Sequence, residues 1–236
     1  DFDPWKEEKP VKNNLCCSSI LFLPGIEASR LYVEDPLYFG TSTNQVWEPN
    51  RNDDIRRLYF NDSYKSIDKN IYTKDVIDSI HGFKGVYGNI ITMFNSMVAE
   101  NKIAEWLPFA YDWREDVYGI VDNGTIYSSS TKYISDEIIR LAKYSKTGKV
   151  SVVAHSNGGL LLKAVYKRLY DIGKSDLVDK VILIAVPELG TPESITSMLH
   201  GVGKKILGID IMSSGATRRL ANYIPGVYGL LPSKEF

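Results

Sequence analysis

Cysteine is nearly missing from this chain, with two residues in 236, the adjacent pair Cys16-Cys17. Neighbouring positions on a strand point to opposite faces, so the pair makes no disulfide framework and leaves the redox compartment open. Neither has ligand-spaced partners, which argues for an inert, partly buried role and against a metal site. Charge of one sign is also lacking. With 28 basic against 29 acidic residues and no dense basic run, a nucleic-acid partner has no electrostatic support. The short pairs Lys167-Arg168 and Arg218-Arg219 read as solvated helix faces. No apolar run is long enough to cross a bilayer, since the longest, Val181 to Val186, is strand-sized; a soluble protein is expected. The chain opens Asp1-Phe2-Asp3-Pro4, with no initiator Met and no basic region ahead of an apolar stretch. It therefore reads as processed or cut. No signal peptide marks its localisation, and export or a cell-surface position stays open.

What is present is globular. A content of 44% apolar and 24% charged residues suits one sizeable core, and the chain is read as a single domain, 1–236. Apolar strand-like runs alternate with helical patterns, which predicts an α/β fold with a mostly parallel sheet and helices on both faces. Ser18 to Leu23 is the first strand, broken by Pro24-Gly25. From about 30 to 80 the composition turns polar and aromatic without long periodicity, and this stretch reads as a cap-like excursion over the sheet. Helical spacing returns at Ile90 to Ala104, followed by a strand at Trp106 to Tyr111. A second helix, Thr131 to Ser145, stops before Gly148 and the strand at Val150. Lys180 to Val186 is nearly all apolar and is expected to be buried on both faces. Helices near Ser194 to Leu207 and Ala216 to Tyr223 close the chain.

The segment Val150 to Gly159 carries the chemistry. An apolar β-run stops at Ser156 and continues as an amphipathic helix from Gly158 to Lys174, with Lys163, Lys167, Asp171 and Lys174 against Leu161, Leu162, Val165, Leu169 and Ile172. A strand that enters a strained turn and leaves as a helix lifts a serine hydroxyl clear of both elements. It needs small residues two before and two after, here Ala154 and Gly158. The backbone N–H of Asn157, at the start of that helix, is placed to stabilise a developing oxyanion. The plainer reading of Ser156 is a helix cap.

Several segments resemble the lecithin:cholesterol acyltransferase family of α/β-hydrolases, in particular its microbial branch. They are Phe22-Leu23-Pro24-Gly25-Ile26-Glu27-Ala28-Ser29-Arg30-Leu31-Tyr32, Val46-Trp47-Glu48-Pro49-Asn50, Tyr111-Asp112-Trp113-Arg114 and Val153-Ala154-His155-Ser156-Asn157-Gly158-Gly159. Two later pieces, Pro187-Glu188-Leu189-Gly190-Thr191-Pro192 and Val227-Tyr228-Gly229-Leu230-Leu231-Pro232-Ser233, are similar as well. The resemblance runs from about Ser19 to Pro232. It implies an α/β-hydrolase-like sheet and an acyl-Ser156 intermediate on a lipid-like ester, with the acyl group passing to an alcohol or to water. It also implies the Glu27 backbone N–H as the second oxyanion donor beside Asn157, with Ile26 or Ala28 as the alternatives. No cofactor and no metal are implied. The partners are a lipid or other ester substrate and a transient membrane or lipid-surface contact.

The departures from that family are informative. The hydrolase order places an Asp or Glu and then a His after the nucleophile, and neither is evident. His155 alternates to the far side of the turn and is expected beneath it, while His81 falls in the excursion. His200 is a weak candidate base and Asp210 a weak candidate acid; Asp171, Asp176 and Asp179 are poorer. A fully apolar strand at Val181 to Val186 also wants a neighbour. The sheet therefore reads as incomplete at its C-terminal edge, with a missing C-terminal segment of the same protein supplying strands, acid and histidine. A non-catalytic binding or scaffold domain that keeps the turn but lacks a base is the alternative. Asp112 and Arg114 are expected as a packed ion pair rather than active-site groups. Trp47, Tyr59, Phe60, Tyr64 and Tyr72 are expected to pack rather than to face lipid.

Overall fold

The computed structural model describes residues 17–34, 43–49, 52–80, 83–84, 87–128, 130–206 and 209–236. Seven strands organise it: β1 (Ser19–Leu23), β2 (Ser29–Glu34), β3 (Thr43–Trp47), β4 (Ile71–Val76), β5 (Trp106–Pro108), β6 (Val150–His155) and β7 (Val178–Ile184). The main helices are α1 (Asn52–Arg57), α2 (Gly88–Ala99), α3 (Val117–Asn123), α4 (Ile134–Tyr144), α5 (Asn157–Asp171), α6 (Pro192–His200) and α7 (Ser214–Tyr223). Short antiparallel pairs join 79–80 to 83–84, 125–127 to 130–132 and 204–206 to 209–212, and a short helix spans Pro225–Tyr228.

The central sheet has the order β7-β6-β1-β5, with every pair parallel. Period-two alternation divides its side chains between two faces. Leu21, Leu23, Val150, Val152 and Ala154 join α4 and α5 in the larger core. Ile20, Phe22 and Val153 meet Tyr87 and Phe94 on the other side. Helices thus cover both faces, as a parallel sheet requires. Helices α4 and α5 form where the sequence pattern places them, whereas the helix expected from Ser194 to Leu207 ends at His200 and gives way to a short strand at Lys204–Ile206. In α4, Ile134, Ile138, Leu141 and Ala142 are the buried stripe, with Asp136 and Glu137 in the first turn, where the helix dipole favours them. In α5, Leu161, Leu162, Val165 and Leu169 are buried, and Lys167 pairs with Asp171 across one exposed turn.

The excursion is more regular than its sequence predicts. It holds an antiparallel sheet of order β3-β2-β4. Leu31 and Val33 point into the core, while Tyr32, between them, stacks on Tyr72 at 5.7 Å and donates to Asp75 at 2.8 Å. A tyrosine and charged outer face, with register shifts in both strand pairs, hides the alternation that a strand reading depends on. Arg114 locks the excursion to the sheet. It is 2% exposed and grips Asp112 through two nitrogens at 2.6 and 2.8 Å, with a further bond to the Leu58 carbonyl at 3.3 Å. The ion pair at 112 and 114 is therefore structural, as expected. Trp47, Tyr59, Phe60 and Tyr72 are buried; Tyr64 differs and lies exposed.

Two further expectations need correction. The strand β7 is not buried on both faces: Val181, Ile182, Leu183 and Ile184 are 47%, 51%, 43% and 39% exposed, because among the described residues only β6 pairs with it. Cys17 is buried and disulfide-bonded rather than an inert thiol, while Cys16 lies outside the described residues.

Candidate active site

Strand β6 ends at His155, helix α5 begins at Asn157, and Ser156 alone makes the turn between them. Its backbone takes φ 53° and ψ −127°, a left-handed region that a residue with a Cβ adopts only when its surroundings impose it. Two glycines let those surroundings close in. A Cβ on Gly158 would fall inside van der Waals contact of the Leu23 and Pro24 carbonyl oxygens. At Gly25 it would lie 3.1 Å from the Ser156 Cβ and 3.2 Å from His155 Nδ1. The Ser156 N–H donates to the Ile184 carbonyl at 2.9 Å, which ties the turn to the end of β7.

The loop after β1 passes directly over this turn. Glu27 adopts φ 61°, and its carbonyl accepts the Trp47 indole N–H at 2.6 Å. The Ala28 N–H donates to the Gly25 carbonyl at 3.4 Å, which engages one of the three candidate donors of this loop within the loop itself. Asn157 is buried and opens α5, where first-turn N–H groups have no intrahelical carbonyl and carry the positive end of the dipole.

Ile26, Glu27, Trp47 and Ser156 line one cavity of about 440 Å³. Its far wall comes from α6, α7 and the segment 224–230, with Met212, Leu220, Ile224, Val227 and Leu230 supplying apolar surface. The late segments Pro187–Pro192 and Val227–Ser233 hold each other in place: the Thr191 N–H donates to the Leu230 carbonyl, and the Ser233 N–H to the Leu189 carbonyl, both at 2.8 Å. The buried Ser194 hydroxyl donates toward the Thr191 and Leu230 carbonyls, at 2.7 and 3.1 Å.

Titratable groups are sparse here. Among the described residues lining the cavity, Glu27 and Glu193 are the charged side chains, and histidine is not represented. Glu193 accepts from the Thr191 hydroxyl. His155 is half-buried, with Nδ1 2.8 Å from the Tyr87 hydroxyl; burial pulls its pKa below the ordinary imidazole value. His200 ends α6 with an exposed side chain and does not line the cavity. Asp210 lies on a hairpin strand opposite Lys205, apart from the central sheet. Asp171 is occupied by Lys167, and Asp179 accepts from the Ser18 hydroxyl at 2.7 Å. His81 falls outside the described residues. Among the described residues no group of three His, Cys, Asp or Glu side chains is placed to hold a metal ion.

Three aromatic residues to which the sequence assigns no part in the site hold the loop beside the turn: Trp47 through the Glu27 carbonyl, Tyr87 through the Gly25 N–H and Tyr111 through the Pro24 carbonyl. Their rings read as packing in any hydrophobicity pattern. Only the direction of each polar tip, set by the fold, reveals the contact.

Residues 78–236 match the family model described as Lecithin:cholesterol acyltransferase. That span includes β5, β6, β7, helices α2 to α7 and Ser156, whereas the similar segments at 22–32 and 46–50 precede it. No curated protein matches the chain.

Proposed function

Since the chain belongs to the lecithin:cholesterol acyltransferase family, a membership that suggests an enzyme of acyltransferase or esterase type, we propose that it transfers acyl groups through Ser156. The observation that carries this reading is Ser156 itself, held at φ 53° between a buried strand and a helix start and opening into the 440 Å³ cavity. In the proposed cycle the Ser156 hydroxyl attacks the carbonyl of a lipid-like ester while a base takes its proton. The Glu27 and Asn157 backbone N–H groups stabilise the oxyanion. Collapse expels the alcohol with that proton and leaves an acyl-serine, which an acceptor alcohol or water then cleaves. The largely apolar far wall suits an acyl chain.

The base and acid are proposed to come from a further segment of the same protein that pairs with the exposed edge of β7. This edge begins beside the turn, since Ile184 stands opposite His155. A histidine carried past such a neighbouring strand would approach Ser156 from the open side of the sheet.

A fluorophosphonate probe tests the reading. The protein carrying that further segment is expected to be labelled, and Ser156→Ala to abolish labelling without unfolding. Labelling that survives Ser156→Ala places the nucleophile elsewhere. A protein that is never labelled supports the second reading, a binding domain that keeps the turn without a base, which the lack of histidine among the described cavity residues favours.

A further inference from the structure

An oxyanion site built from two N–H groups works only if their separation is fixed, and here the two come from unconnected stretches of chain, the loop after β1 and the start of α5. A single peptide unit joins them. The Pro24–Gly25 peptide is held at both ends: its carbonyl accepts the Tyr111 hydroxyl at 2.9 Å, and its N–H donates to the Tyr87 hydroxyl at 2.8 Å. Each tyrosine then reaches one neighbour of Ser156. The Tyr87 hydroxyl lies 2.8 Å from His155 Nδ1, and the Tyr111 hydroxyl accepts from Asn157 Nδ2 at 3.3 Å.

We propose that Tyr87 and Tyr111 are positioning residues that grip the Pro24–Gly25 peptide from opposite sides and so fix the oxyanion loop against the Ser156 turn. This rests on the acyl-transfer reading above.

Proton accounting supports the arrangement. Each phenol has one proton and can accept more than one bond. The Tyr111 proton goes to the Pro24 carbonyl, so its oxygen is the acceptor for Asn157. The Tyr87 oxygen accepts from Gly25, and the same hydroxyl lies within hydrogen-bond distance of His155 Nδ1. Burial keeps both hydroxyls protonated, with Tyr87 pushed up to about 12 and Tyr111 raised as well. Both rings are buried. Tyr87 packs edge-on against Phe22 at 4.9 Å between ring centres, so neither hydroxyl can swing away to water. With either phenol removed, one end of the peptide loses its partner and the plane is free to rotate, carrying Ile26 and Glu27 with it.

The test compares Tyr87→Phe, Tyr111→Phe and the double variant with Tyr127→Phe. Tyr127 is a control, because its hydroxyl donates to the Ala110 carbonyl at 2.6 Å and does not line the cavity. Phosphonylation rates of Tyr87→Phe and Tyr111→Phe are expected to fall about 10-fold to 100-fold, the scale on which small misplacements act. KM for a soluble ester should hold while kcat falls, and the double variant should lose less than the product of the single losses, because both grip one peptide. Tyr127→Phe is expected to lose comparable stability at an unchanged rate. In parallel, amide hydrogen exchange at Gly25 should accelerate in Tyr87→Phe. If the parent protein is labelled and both single variants react at its rate, the proposal is overturned. If the parent is unlabelled, the acyl-transfer reading fails on its own, and Gly25 exchange still decides the clamp, with unchanged protection counting against it.

Discussion

Strands β6 and β7 lie side by side and parallel, with one register shift between Val150 and Val152, and are built from similar residues, Val-Ser-Val-Val-Ala-His and Val-Asp-Lys-Val-Ile-Leu-Ile. Val152 and Val181 stand directly opposite each other, the first fully buried and the second 47% exposed. The difference is one of position alone. With partners on both edges, β6 lies in the closed centre of the sheet and can end in a strained turn, since the packing around it over-determines the backbone. With one partner among the described residues, β7 carries an apolar surface that natural edges usually avoid. Apolar content measures how much burial a strand can use, and topology decides how much it receives.

The largest expected effect breaks the closed end of this pair. Gly158→Val puts a branched side chain where the Leu23 and Pro24 carbonyl oxygens already sit, and backbone cannot step aside as a side chain tip can. Destabilisation of about 3 kcal/mol or more is expected, together with loss of labelling at Ser156, measured by chemical denaturation and probe incorporation. Near-normal stability and labelling would show that the turn is looser than its contacts require.

A smaller effect sharpens the comparison directly. Val152→Ala removes two buried methyl groups and leaves a cavity, at a cost of about 2 kcal/mol. Val181→Ala, at the opposing position, is expected to cost about 0.5 kcal/mol or less. Equal losses in urea denaturation would mean that β7 is covered in solution by something that buries it as fully as β6.

The same pair shows how far the sequence could be read. The parallel sheet, its helices and the position of Ser156 were legible because period-two and period-3.6 patterns, glycine placement and the strand-to-helix transition are local signals. The ion pair of Asp112 with Arg114 followed from adjacency in sequence. Exposure of β7 was not legible in its own residues, since burial depends on what lies alongside. The sheet of β2, β3 and β4 was hidden by Tyr32, Tyr72 and Asp75, which replace the apolar–polar alternation with an outer face of hydrogen-bonded aromatics. The contacts around Ser156 were least visible. Tyr87, Tyr111 and Trp47 act on the loop at 24–27 across separations of 62, 87 and 20 residues, and no local pattern records a partner that distant.

The smallest effect concerns the last residues of the two strands, His155 and Ile184, which are also paired. Burial against the Ser156 turn and Tyr87 depresses the His155 pKa, so the folded protein resists a proton that the unfolded chain accepts near 6.5. Between that value and the lower folded one, the unfolded state binds more protons. Stability is therefore fully present above about 6.5, falls as pH drops through this window, and levels off once the folded form is also protonated. Carboxylates elsewhere titrate in both proteins, so the difference between the parent and His155→Gln isolates this group. The parent Tm is expected to fall more steeply from pH 7 to pH 5, by an extra margin of about 2 °C or less given the partial exposure of the ring. Parallel curves would mean that His155 is as accessible to solvent as the edge residue beside it.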